Sequence, residues 1–539
     1  MSTQTHYDAI IIGAGVSGLY QLHRLREAGF SVRLYEKAAG VGGTWYWNRY
    51  PGCRFDSESY TYAYSFSDEL LEEWNWSEHF AGQPETLAYL NHVADKFSLR
   101  DDIQFNTRIN TAVFNEDNSQ WAIEGENGEQ ASCQFLIMAT GILSAVQYPD
   151  IKGIDDFKSE SFHSARWPHD ANSLGGDKSV YTGKRVAVIG AGASAVQLIP
   201  HVAKDAKELV VFQRTANWAS PLFNAAITDA EQPALKAAYP EIFKACDSTS
   251  GGFVHQFDPR SIYDVSDEER NALFEKLYKE KGFSIWLSNF PEIMTDMKAN
   301  KLLSDFMANK IRQRVDDPAI AAKLVPSAHG FGQRRVPMET NYYEAYNQDN
   351  VQLVDLNETP IERITATGVK TSTDEFEFDL IIYATGFDAG TGAISRIDVR
   401  GTNGESIKDK WANELRTYMG LQVEGYPNMF IHIGPHAAFC NIPRCAQVSV
   451  DWVSDLIEHM RTEKLASVEA TEAAEIGWTE HAVEEANKTL LSKTNSWIMG
   501  DNVAGKPRAL LLYAGPTPQF RQRMKDCAAN DYEGFRFTS

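Results

Sequence analysis

Apolar residues first run unbroken at Ala9-Ile-Ile-Ile12, and so short a run predicts a strand buried on both faces. Gly13-Ala-Gly15-Val-Ser-Gly18 follows at once. Val16, Leu19, Leu22 and Leu25 then recur at three-residue spacing up to Gly29, which predicts a helix with one apolar face. A second strand, Ser31-Val-Arg-Leu-Tyr-Glu36, ends in a carboxylate. The same order returns in Arg185-Val-Ala-Val-Ile189, Gly190-Ala-Gly192-Ala-Ser-Ala195, an apolar helix and the strand Glu208-Leu-Val-Val-Phe212. Gln213 follows Gly190 by the same 23 residues that separate Glu36 from Gly13, so an amide stands where the first unit has an acid. Two more apolar strands end in Ala139-Thr140-Gly141 and Ala384-Thr385-Gly386. From about 222 to 328 no such strand appears. There Ser266-Asp-Glu-Glu269 has the form of a capping box ahead of Leu273, Phe274, Leu277 and Tyr278, and helices are expected.

Strand, glycine turn and helix in that order are suited to a dinucleotide. The glycines allow a tight turn, close approach of backbone to pyrophosphate and close packing of helix on strand, and the helix N-terminus attracts the phosphates. Glu36 is placed to accept from ribose hydroxyls, and alanine is an allowed third residue in the second turn. Gln213 removes the acid that would repel a 2′-phosphate, while Arg214 and Thr215 supply donors for one, so the second site is expected to prefer NADPH to NADH. An acidic ribose contact in one unit and an NADPH site in the other point to a flavoprotein that binds FAD and is reduced by nicotinamide. The expected fold class is α/β, with two Rossmann-like dinucleotide-binding domains and a helical insertion.

Composition narrows this further. A chain of 539 residues exceeds what one core usually serves. With 51 Lys and Arg against 73 Asp and Glu, its net charge of −22 disfavours nucleic acid and anionic membranes as partners. The N-terminus lacks the basic and apolar regions of a signal peptide and no stretch offers 18 unbroken apolar residues, so a cytoplasmic protein is expected. Six cysteines without a CxxC pair or a histidine cluster predict reduced thiols and no metal.

Longer motifs add chemistry. Gly42-Gly43-Thr44-Trp45-Tyr-Trp-Asn-Arg-Tyr50-Pro51-Gly52-Cys-Arg-Phe-Asp56 and Phe157-Lys-Ser-Glu-Ser-Phe-His163-Ser-Ala-Arg-Trp167-Pro168 are two fingerprints, the second with Ser159 where the pattern has glycine. With Phe331-Gly-Gln-Arg334-Arg335, Gly434-Pro-His-Ala-Ala-Phe439-Cys440-Asn441-Ile442-Pro443 and Asn495-Ser-Trp497 to Pro507, they give the chain its resemblance, over nearly its whole length, to the type I Baeyer-Villiger monooxygenases. The resemblance implies that NADPH reduces FAD, that O2 then gives a C4a-peroxyflavin, and that this attacks a ketone to yield an ester or lactone. It assigns Arg335 to the flavin as the catalytic cation, Asp56 to orient it, and Arg334 to the 2′-phosphate beside Arg214 and Thr215. Arginine suits the peroxide because guanidinium stays protonated. Gly13, Gly15, Gly18, Glu36, Gly43, Thr44, Trp45 and Asp56 are the expected FAD contacts, and Gly190, Gly192 and Ala195 the NADPH turn. Phe439, Cys440 and Ile442 would face the ketone, His163 and Trp167 would form the hinge, and Trp497 would anchor a mobile loop at about 491–508 over NADP. The implied division is a FAD domain at 1–147 and 387–539 around an NADPH domain at 148–386, whose helical insertion has no chemistry of its own. Two rivals stay open: a flavin monooxygenase oxidising nitrogen or sulfur, which would not need Arg335, and a flavin-binding redox sensor without turnover.

Overall fold

A computed structural model describes residues 5–168, 178–438 and 440–539. Strand Thr5–Ile12 lies inside an eight-stranded sheet, paired in parallel with Val32–Tyr35 on one side and Gln130–Met138 on the other. That placement accounts for its unbroken apolar run, since Ala9 to Ile12 are buried on both faces. Helix Val16–Glu27 follows the turn and buries Leu19, Leu22 and Leu25. A long helix, Ile442–Glu463, covers it, joined by Gln21 Nε2 donating to Ser454 Oγ at 2.9 Å and Tyr20 Oη to Asp451 at 2.6 Å. Strands Asp398–Arg400 and Met429–Ile431 complete the sheet from far along the chain, on Ile109–Asn115 and Gln130–Met138.

The second sheet has five parallel strands in the order Val351–Asp355, Glu208–Gln213, Arg185–Ile189, Leu380–Tyr383, Glu160–His163. Both sheets solve the same steric problem in the same way. Gly13 (φ 109°) and Gly190 (φ 121°) each open a turn, and a Cβ would come within 2.6 Å of the Ala139 carbonyl oxygen at one and 2.4 Å of the Ala384 carbonyl oxygen at the other. The two Ala-Thr-Gly turns therefore press against the two glycine turns, and only glycine fits there. A Cβ on Gly18 would fall 1.9 Å from the Gly13 carbonyl oxygen, which fixes how closely that helix approaches its strand.

Between the strands at 208–213 and 351–355 lie the expected helices, including Asp267–Tyr278, whose capping box Ser266–Glu269 is formed. Ser159 is not among the residues with positive φ, so the backbone there does not require the glycine of the pattern. The cysteines need one correction. Cys53, Cys133, Cys246 and Cys527 are free and buried, but Cys440 and Cys445 form a disulfide, their Cα atoms 6.1 Å apart where a turn enters helix Ile442–Glu463. That turn, rather than a CxxC spacing, brings them together. Among the described residues no helix is long and apolar enough to cross a membrane, and no cluster of His, Cys, Asp or Glu could hold a metal.

In the first turn of helix Glu472–Asn487, Glu475, 1% exposed, accepts the Glu424 backbone N–H at 3.2 Å. Burial pushes its carboxyl up from 4.5 to about 7, against the pull of that N–H and of Lys410. A folded-state pKa raised in this way means that the native form holds the proton more tightly than the unfolded chain. Stability is therefore full below about 4.5 and falls as pH rises through about 7. Glu475→Gln should match the parent in melting temperature at pH 4 and exceed it at pH 8, by roughly 1–3 kcal/mol in stability.

Candidate active site

One cavity of about 2010 Å³ runs between the two glycine turns. A pocket for one small ligand is typically about 300–1,000 Å³, so this one has room for more than a single dinucleotide. Its lining includes Gly13, Gly15, Glu36, Gly43, Thr44, Trp45 and Asp56 on one side and Gly190, Gly192, Arg214, Thr215, Arg334 and Arg335 on the other. Gly18 and Ala195 do not line it, because they lie within the helices that pack on the strands.

The first turn is shaped for close backbone approach. Gly43 has φ 53°, and a Cβ on it would come 2.9 Å from the Gly15 Cα. Glu36, 4% exposed, accepts the Ala14 N–H and the Ala38 N–H at 2.8 Å each, one per oxygen. Each carboxylate oxygen retains a further acceptor direction toward the cavity. Burial pushes this carboxyl up while those two N–H groups hold it down. The glycine cradle and the buried carboxylate fit the pyrophosphate and ribose of FAD.

The second turn differs in charge. Burial and the neighbouring Arg214 pull the Arg334 guanidinium below its ordinary range, with Asp501 opposing. Among the described residues neither arginine makes an ion pair, and Arg334 Nε is buried without a hydrogen-bond partner. Two guanidinium groups on one cavity wall, with no carboxylate of the described residues at contact distance, fit a phosphate. Gln213 is turned away, its Nε2 donating to the Lys323 carbonyl at 2.8 Å.

Asp56 and Arg335 meet between the two sites. Arg335 Nη2 lies 2.8 Å from Asp56 Oδ2, with the aspartate side chain 1% exposed and the arginine 33%. The Met338 N–H donates to the same oxygen at 3.3 Å, and Gln197 Nε2 reaches Oδ1 at 3.4 Å. Burial raises the Asp56 carboxyl above its ordinary range, and the Arg335 guanidinium is the largest influence holding it down. The loop that carries Asp56 crosses helix Ala193–Asp205 at Gly52 (φ 82°), where a Cβ would sit 2.6 Å from the Gln197 carbonyl oxygen.

Cys440 and Ile442 line the cavity, Cys440 as half of the disulfide, and Phe439 lies outside the described residues. Trp497 also lines it. Its loop is tied down by Asn502 Nδ2 donating to the Phe387 carbonyl at 2.6 Å and by Lys506 pairing with Asp388 at 2.7 Å. His163 and Trp167 are buried away from the cavity. The His163 ring meets Tyr148 and Phe387 edge-on at 5.5 and 5.7 Å, and burial takes its pKa down to about 4. Phe253, Phe257, Phe283, Trp286 and Leu287, all from the helical insertion, also line the cavity. Their sequence signal is that of ordinary core aromatics. Gln197, which holds the loop of Asp56, lies in no motif, and Asn441, which ties its loop to Thr61, lies in the motif at 434–443 without a role assigned to it.

The chain matches the FMO-like, flavin-binding monooxygenase-like family over residues 7–226. It is 44% identical to the acetone monooxygenase (methyl acetate-forming) of Gordonia sp. (strain TY-5), covering 99% of both chains. It is 39% identical to a phenazine N-monooxygenase of Lysobacter antibioticus, covering 99% of this chain and 97% of that one. The crystal structure of OTEMO in complex with FAD and NADP superposes with a TM-score of 0.96 at 47% identity, over 99% of this chain and 100% of that one.

Gly43→Ala tests the cradle. The added methyl and the positive φ at that position are expected to cost about 1–3 kcal/mol. Purified variant should retain flavin roughly 10- to 100-fold more weakly, read from the ratio of flavin to protein absorbance.

Proposed function

The chain belongs to the Baeyer-Villiger monooxygenases, and on that premise we propose that Arg335, held in position by Asp56, is the cation on which its ketone oxygenation depends. The enzyme is an NADPH- and FAD-dependent monooxygenase that converts a ketone to an ester or lactone. Bound FAD, reduced by NADPH, supplies the activated dioxygen. This chain's residues bind, orient and shield. The pairing of buried Asp56 with Arg335, in a cavity lined by both nucleotide turns, is the observation that carries the assignment.

Addition of oxygen to a carbonyl leaves negative charge on the former carbonyl oxygen. A fixed cation stabilises that charge most where water is excluded, and guanidinium cannot lose its proton there. Asp56 accepts from Arg335 and from the Met338 N–H, so the fork of donors is held in one orientation before substrate arrives. Glu36 and the Gly13, Gly15 and Gly43 backbone would hold FAD, with Thr44 and Trp45 beside them. Gly190 and Gly192 would receive the NADPH pyrophosphate, and Arg214, Thr215 and Arg334 its 2′-phosphate. Cys440 and Ile442 would face the ketone, and Trp497 would close the coenzyme side. His163 and Trp167 would serve the hinge between a FAD domain at 1–147 and 387–539 and an NADPH domain at 148–386. The edge-on contacts of His163 with Tyr148 and Phe387, one on each linking segment, support that role.

The likeness to a phenazine N-monooxygenase favours a second reading, oxygenation of an aromatic ring nitrogen. That reaction leaves no alkoxide beside Arg335, so Arg335→Ala would spare it. For ketones the same variant should still be reduced by NADPH, yet lose ester or lactone formation by about 3 kcal/mol or more, several powers of ten being the usual cost of a positioned charge. Undiminished ketone oxygenation would remove Arg335 from the mechanism. Arg335→Lys keeps the charge without the fork, and parent-like rates from it would refute orientation by Asp56 alone. Arg334→Ala should weaken NADPH by about 1.5–3 kcal/mol while leaving NADH unchanged, measured as kcat/KM for each coenzyme.

A further inference from the structure

The short segment from Asp56 to Thr61 reaches three walls of the cavity through three side chains. Asp56 holds Arg335. Thr61 accepts Asn441 Nδ2 at both its carbonyl, 3.0 Å away, and its Oγ1, 2.8 Å away, which fixes the loop carrying Cys440 and Ile442. Between them Glu58, its side chain 6% exposed, meets His255 Nε2 at 2.9 Å, and the His255 side chain is 8% exposed. His255 Nδ1 lies 3.5 Å from Ser284 Oγ and 3.4 Å from Ser288 Oγ.

Neither Glu58 nor His255 lines the cavity, but their neighbours do. Phe253 and Phe257 flank His255, and Phe283, Trp286 and Leu287 flank or separate Ser284 and Ser288. The Phe253 and Phe283 rings meet edge to face at 5.0 Å. Trp286 lies against the loop of Arg334 and Arg335, so close that a Cβ on Gly332 would come 2.6 Å from its Nε1. Burying a carboxylate beside an imidazole contributes less to stability than a well-packed apolar pair would, and among the described residues Glu58 Oε2 has no partner. Its directional bond is what an apolar pair could not supply.

We propose that Glu58 and His255 form a clasp that sets the aromatic wall of Phe253, Phe283 and Trp286 at a fixed distance from Arg335, making Glu58 a positioning residue for the size of ketone admitted. The inference rests on the ketone reading of the cavity. An apolar wall discriminates by roughly 10- to 200-fold per methylene only where it cannot yield, and the clasp supplies that stiffness. Selection should then follow the reach of residue 58 rather than its charge.

Two substitutions separate reach from charge. Glu58→Asp keeps the carboxylate but withdraws it by one bond, and Glu58→Gln keeps the reach and an acceptor oxygen without the charge. The measurement is the ratio of kcat/KM for cyclohexanone to that for acetone, with flavin reduction by NADPH as the internal reference. Glu58→Asp is expected to shift the ratio about tenfold, mainly through KM, while Glu58→Gln stays within about twofold of the parent and both keep the parent's reduction rate. A ratio that Glu58→Asp leaves unchanged, or an equal loss on both ketones, overturns the clasp. A parent enzyme that oxygenates neither these two nor any of a panel of cyclic, linear and aryl ketones overturns the ketone reading itself, and so is told apart from failure of the clasp alone.

Discussion

A carboxylate with 1% of its side chain exposed has to be answered by donors, and the cavity is arranged around that requirement at Asp56. Its three partners come from two distant places in the chain: Gln197 on the first helix of the second sheet, and Arg335 with the backbone of Met338 just after the helical insertion. None of the three is near Asp56 in sequence. The charge is satisfied only when both sheets and the stretch after the insertion are assembled, so the geometry of Arg335 is fixed by the whole fold rather than by one loop.

Around that centre two nearly identical backbones are given opposite electrostatic character. Each turn begins with a glycine pressed on an Ala-Thr-Gly carbonyl, yet one faces a buried carboxylate and the other two guanidinium groups without an ion pair among the described residues. In a chain of net charge −22 the second arrangement concentrates positive charge at one turn. Repetition supplies the scaffold, and a few substitutions at its rim distinguish the ligands.

Much of this could be read from residues in order. A parallel strand covered on both sides must be apolar throughout, which exposes Ala9–Ile12 and Arg185–Ile189 at once, and the positive φ at Gly13 and Gly190 makes the turns equally plain. Ser266 to Glu269 announces its own helix start because a capping box is local. The pairing of Asp56 with Arg335 obeys no local rule, and only the resemblance drew those residues together. Phe253, Phe283 and Trp286 carry the same apolar signal as core residues, since whether an aromatic ring faces a core or a cavity is decided by tertiary packing. The Cys440 to Cys445 link escaped because the turn that makes it has no spacing signature.

The first sheet takes strands from both ends of the molecule, whereas the five strands of the second all lie between Glu160 and Tyr383. Synthesis from the N-terminus therefore delivers the second sheet whole while Met429–Ile431 and the helix that covers Val16–Glu27 are still to be made. Gln21 must wait for Ser454, 433 residues later, and closing so long a loop is slow. The nascent protein thus carries an unpaired stretch of strand Gln130–Met138, open to the wrong neighbour, until synthesis has passed residue 431.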